Sequence, residues 1–121
     1  MTDNTLLLRQ IHPAFVQNGR VTSQAFRPTP KDQHKLSVYD GDLMSAEQSW
    51  KHFSGRGLKS VGVLAVTVLE CKAESLPAAP SPEVFEEHAH IDFTGLNENE
   101  IKGKGKRLLA VANLRGWLHQ A

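Results

Sequence analysis

The chain has 121 residues, 40% hydrophobic and 22% charged, with a formal net charge of +1. That is the size of one domain with one core, here the span 1–121, and an ordinary globular composition that argues against wholesale disorder. The near-zero charge gives no global case for nucleic acid or a membrane surface, no run nears the roughly 20 apolar residues that cross a bilayer, and the lone Cys71 excludes an internal disulfide framework.

"TLLLRQI" (5–11) is apolar and stopped by His12-Pro13, as a first strand would be. No basic leader precedes it, so the expected location is cytoplasmic. Asn18-Gly19 is a strong hairpin signal and predicts arms over 14–17 and 20–27. The proline-rich "RPTPKDQH" (27–34) reads as a loop. "KLSVYDGD" (35–42) alternates as a strand that turns at Asp40-Gly41.

Ser45 and Gln48 form a capping box that opens a helix within 44–57, with Ala46, Trp50 and Phe53 as its apolar stripe. "SVGVLAVTVLEC" (60–71) is apolar on both parities and predicts a central strand covered on two sides, with Cys71 buried at its end. "SLPAAPSP" (75–82) reads as a loop crossing a sheet edge, followed by the strand "HAHIDF".

Asn97 and Glu100 repeat the capping-box pattern ahead of a C-terminal helix whose stripe is Leu108, Val111, Leu114 or Arg115, and Leu118. Gly103 and Gly105 each cost about 1 kcal/mol in a helix interior, which moves the expected start toward 104–106. The order of elements predicts an α+β fold, a small two-layer domain of mostly antiparallel sheet with two helices packed on it.

Charge is polarised along the chain. Six acidic residues and no Lys or Arg lie between Glu83 and Glu100, and Lys102, Lys104, Lys106 and Arg107 follow at once. In "EVFEEHAHIDFTG" (83–95), alternation places His88, His90 and Asp92 on one face of a strand. His88 and His90 stand about 7 Å apart, close enough to act together, and are the candidate catalytic pair. Asp92 lies about 13 Å from His88 and cannot share an ion with it. The plainer reading is the wet side of an amphipathic strand, and no metal or cofactor is expected.

"KGKGKR" (102–107) suits an anion through Lys104 and Lys106 at a helix start, but it is not a P-loop, since no Ser or Thr follows a Gly-Lys pair. A scattered set, Arg9, His12, Arg20, Arg27, Asp32, His34 and Ser37, occupies strand ends and the proline-rich loop. Within it Arg9, His12 and Arg27 are the candidate ligand-binding residues. No nucleophile elbow, Cys-x-x-Cys, His-Glu-x-x-His or EF-hand loop is present.

Three functions of different class follow. The leading one is a small interaction or accessory domain that binds a partner protein or a second copy of itself. The next is a small enzyme or binding protein for a phosphate-containing or nucleotide ligand, using His88 and His90 with Arg9 and Arg27. The third is nucleic-acid contact through Lys102–Arg107.

Overall fold

In the computed structural model, which describes residues 1–121, the apolar start forms β1 (Leu6–Gln10). His12-Pro13 then turns the chain into a 3₁₀ segment, Pro13–Phe15, with the His12 imidazole accepting from the Ala14 N–H. Asn18 and Gly19, at φ of 52° and 75°, make the expected tight turn between β2 (Val16–Gln17) and β3 (Arg20–Val21). The second arm is far shorter than 20–27. A 3₁₀ segment at Ser23–Phe26 replaces it and buries Ala25 and Phe26.

Another short 3₁₀ segment, Pro30–Asp32, precedes β4 (Lys35–Asp40). The Ser45–Gln48 capping box forms, and α1 (Ala46–Gly55) follows.

The apolar run 60–71 is not one strand. β5 (Gly62–Thr67) ends where the Thr67 hydroxyl accepts from the Glu70 N–H and Glu70 accepts from the Thr67 N–H, so a second capping box starts α2 (Val68–Ala73). Cys71 is therefore a buried helical residue. The segment 75–82, expected as a loop, contributes the edge strand β6 (Ala78–Pro80), followed by β7 (His88–Asp92), α3 (Glu98–Arg115) and β8 (His119–Gln120). Contrary to the later start expected from its glycines, α3 begins at the Asn97 cap and runs through Gly103 and Gly105. It ends at Arg115, so Leu118 lies beyond it and Leu114 is 91% exposed.

Six strands form one sheet in the order β6-β7-β4-β1-β5-β8, each neighbouring pair antiparallel. The fold is a small α+β domain with helices packed on a mostly antiparallel sheet. β1 and β4 hold its middle, and β5, expected to be central, is next to the β8 edge. The long apolar sequence of β5 reflects cover on both faces. Leu64 and Val66 join Leu7, Ile11, Phe93, Leu108 and others in the larger core beneath α2 and α3, while Val63 and Ala65 join Leu8 and Tyr39 beneath Trp50 and Phe53 of α1.

The helices thus divide between the two faces. At the β5 edge, where β8 pairs only with Gly62 and Val63, the Arg115 guanidinium donates to the Ala65 carbonyl and forms a two-pronged pair with Glu70. A side chain so continues the protection of an edge that the short β8 leaves open.

Candidate functional site

Two clefts gather the polar residues, one beside α3 and one on the α1 face. The larger, about 610 Å³, lies between the segment Gln24–His34 and the first turns of α3. Arg27, His34 and Lys102 supply its donors, while Phe15, Leu96 and Ile101 supply apolar wall. The Arg27 side chain makes no hydrogen bond or ion pair, although its backbone N–H donates to the Gln24 carbonyl, and its Nε is buried without a partner. Its stem lies against α3 at Gly105, where an added Cβ would meet Arg27 Cγ at 2.7 Å. That contact explains a glycine in a helix interior that local propensity alone disfavours.

The opposite wall is locally strained. Gln33 and His34 both adopt the left-handed region, at φ of 55° and 61°, which is uncommon for residues with a Cβ. The His34 carbonyl accepts from the Phe93 N–H, tying this bend to the end of β7. Glu98 also borders the groove, one turn before Lys102, but the two form no ion pair within 4 Å.

The smaller cleft, about 240 Å³, opens where β4 leaves β1. β1 pairs with β5 over all of Leu6–Gln10 but with β4 only at Leu7 and Leu8. Arg9 fills the parting: its Nε donates to the Ala25 carbonyl at 2.7 Å and its Nη1 to the Ser37 carbonyl at 3.0 Å, with the guanidinium 5.7 Å from the Phe15 ring centre. Burial pulls the Arg9 pKa down to about 10, against the opposing pull of Asp32.

An aromatic cluster closes the other side of this cleft. Tyr39 Oη and His52 Nδ1 are 2.8 Å apart, and the Phe85 ring packs against Tyr39, His52 and His88. Burial raises the Tyr39 pKa, while the nearby Arg56 works the other way. Burial is also the main reason that the His88 pKa is lowered; His90 and Arg56 add to the effect, and Glu83 and Ser81 oppose it. The His88 Nδ1 is hydrogen-bonded to the hydroxyl of the buried Ser81, which follows β6.

Among the candidates named from sequence, His88, Arg9 and Ser37 border the smaller cleft, and Arg27 and His34 border the larger. The arginine–histidine set is therefore split, with Arg9 the only one of its two arginines to meet His88 at a shared cleft. His90 lies opposite Ser37 in β4 and lines neither cleft. Asp92 forms a turn, accepting from both the N–H and hydroxyl of Thr94, and those bonds lower its pKa. No group of three or more His, Cys, Asp or Glu comes together around the His88–His90 pair.

His12 is occupied as a cap, and Lys104 donates to the Glu74 carbonyl. Arg107 pairs with the Glu74 carboxylate at 2.6 Å, and Lys106 points to solvent. The basic cluster is thus largely spent on anchoring α3 to the end of α2, with Lys102 alone reaching a cleft. Sequence reasoning missed Arg56, Tyr39 and Phe85 in the smaller cleft and Phe15 in the larger. Their only signal was an unremarkable aromatic or basic residue, and tertiary contact assembles them. No helix is long and apolar enough to cross a membrane. Comparison with family models, curated proteins and solved structures finds no match to this chain.

Proposed function

We propose that this domain binds a small phosphate-bearing ligand with an apolar or aromatic portion in the groove between Arg27 and α3. The observation that carries this reading is Arg27: a guanidinium with a buried, unpartnered Nε, next to Lys102. A buried donor without an acceptor is costly, and guanidinium suits the paired oxygens of a phosphate. The groove volume of about 610 Å³ falls among small-molecule sites, and Phe15 and Ile101 offer the apolar contact such sites use.

Calorimetric titration with inorganic phosphate, phenyl phosphate and a mononucleotide tests the proposal. Saturable binding is expected, tighter for the two organic phosphates, and weakened about tenfold or more by Arg27→Ala and less by Lys102→Ala. Absence of saturable heat at low salt, or equal affinity in Arg27→Ala, would overturn it.

A protein-binding role draws on a different observation. Leu69, Leu114, Trp117 and Leu118 are exposed at the start of α2, the end of α3 and the approach to β8, and large apolar side chains left in water favour self-association. Sedimentation over a range of concentrations, with Leu114→Asp as the control, tests pairing with a second copy. A monomer at all concentrations would remove this reading.

A further inference from the structure

The smaller cleft carries an unpartnered group of its own. Gln10 is only 6% exposed, and its Nε2 donates to Ser49 Oγ at 2.9 Å. Ser49 in turn gives its proton to the Ala46 carbonyl at 2.7 Å, so it accepts from Gln10 and fixes which way the amide points. The remaining atom, Gln10 Oε1, is buried with no donor. We propose that this cleft is a second binding site, for a flat neutral heterocycle presenting a ring N–H beside ring carbonyls, the edge of a lactam or cyclic imide.

Each part of that edge answers a feature of the cleft. The N–H supplies the donor that Gln10 Oε1 lacks. Arg56, which forms no ion pair within 4 Å, provides only donors and so calls for acceptor oxygens. Its guanidinium is 5.2 Å from the Phe85 ring centre, and Phe53, Leu58 and Val84 complete apolar walls suited to a flat ring. A volume of about 240 Å³ holds a single ring system and lies below the range of drug-sized sites. A phosphate or carboxylate would set its own oxygens against Gln10 Oε1. The ligand class therefore differs from that proposed for the groove beside α3, and the two proposals stand or fall separately.

Proton NMR titration with uracil, which carries the imide edge, and 1,3-dimethyluracil, which keeps the ring and carbonyls but has no N–H, tests this. Uracil is expected to shift the ring signals of His88 and Phe85 in a saturable way. Dimethyluracil and the Gln10→Leu variant should each lose about tenfold or more in affinity. The surface variant Arg56→Ala leaves the core intact and should also bind more weakly. No saturable shift with uracil, equal binding of dimethyluracil, unchanged affinity in Arg56→Ala, or shifts at His34 in place of His88 would overturn the proposal.

Discussion

The Arg27 side chain crosses α3 at Gly105, where an added Cβ would stand 2.7 Å from Arg27 Cγ and 3.2 Å from the Phe26 carbonyl oxygen. Gly105 has no positive φ, so close approach and not backbone conformation explains the glycine. An ordinary helical glycine gains about 1 kcal/mol on replacement by alanine. Gly105→Ala is expected to give no such gain and to weaken phosphate binding by displacing Arg27. Gly103→Ala meets only the flexible guanidinium of Arg107 at 3.4 Å and should stabilise by about 0.5–1 kcal/mol. Urea unfolding with phosphate titration of both variants makes the comparison. A Gly105→Ala protein that is more stable and binds as before would remove Arg27's dependence on this contact.

Local signals in the sequence were legible wherever short-range chemistry decides the backbone. Asn18-Gly19 turns, and the box at Ser45 starts its helix at the expected residue, while the box at Asn97 prevails over the later start that Gly103 and Gly105 suggested. The box at Thr67 and Glu70 has the same pattern, but it sits inside an apolar run whose hydrophobicity resembles a continuing strand, so the shift to α2 was hidden. Gly105 looked like a local defect because its reason, Arg27, is distant in sequence. Half of the His88 environment was equally hidden. Ser81 and Phe85 were near at hand, whereas Tyr39, His52 and Arg56 reach it only through the register of β4 with β7 and the placement of α1.

The Thr67–Glu70 box has a consequence for Cys71. The thiol is fully buried, and burial together with Glu70 pushes its pKa up to about 12, so it is inert while α2 is closed. Thr67→Ala removes the cap at a cost of about 1 kcal/mol and should raise the rate of Cys71 labelling about fivefold if α2 opens locally. Ellman-type labelling kinetics under native conditions measure this. An unchanged rate would mean that the thiol is reached only by global unfolding.

Gly62 allows the end of the chain to close on the sheet. A Cβ there would meet the His119 carbonyl oxygen at 2.5 Å and the Trp117 ring at 2.9 Å. Backbone cannot yield as a flexible side chain can, so Gly62→Ala should detach β8 and cost about 1–3 kcal/mol. Trp50 also packs on His119, with ring centres 5.2 Å apart, so both tryptophans report the change. A red-shifted native fluorescence spectrum is expected; an unshifted spectrum with normal stability would show that β8 adapts in place.

His88 should make stability depend on pH near neutrality. Its folded pKa lies below the ordinary value of 6.5, chiefly because burial disfavours the imidazolium. Between the folded and unfolded pKa values, the unfolded chain therefore binds more protons, and stability rises with pH. The contribution is complete above about 6.5 and is lost as pH falls through the folded value. Glu70 and Asp92 are also lowered, but from 4.5 and 3.8, so their contributions fade in a more acidic range. In Glu70 the bonds from Arg115 and Thr67 outweigh a burial effect that would raise it. His88→Gln keeps a group able to bond with Ser81 but does not titrate. Its urea midpoint should vary less than that of the parent between about pH 5 and 7, the region around the ordinary histidine pKa. The same slope in both proteins would place the titrating group elsewhere than His88.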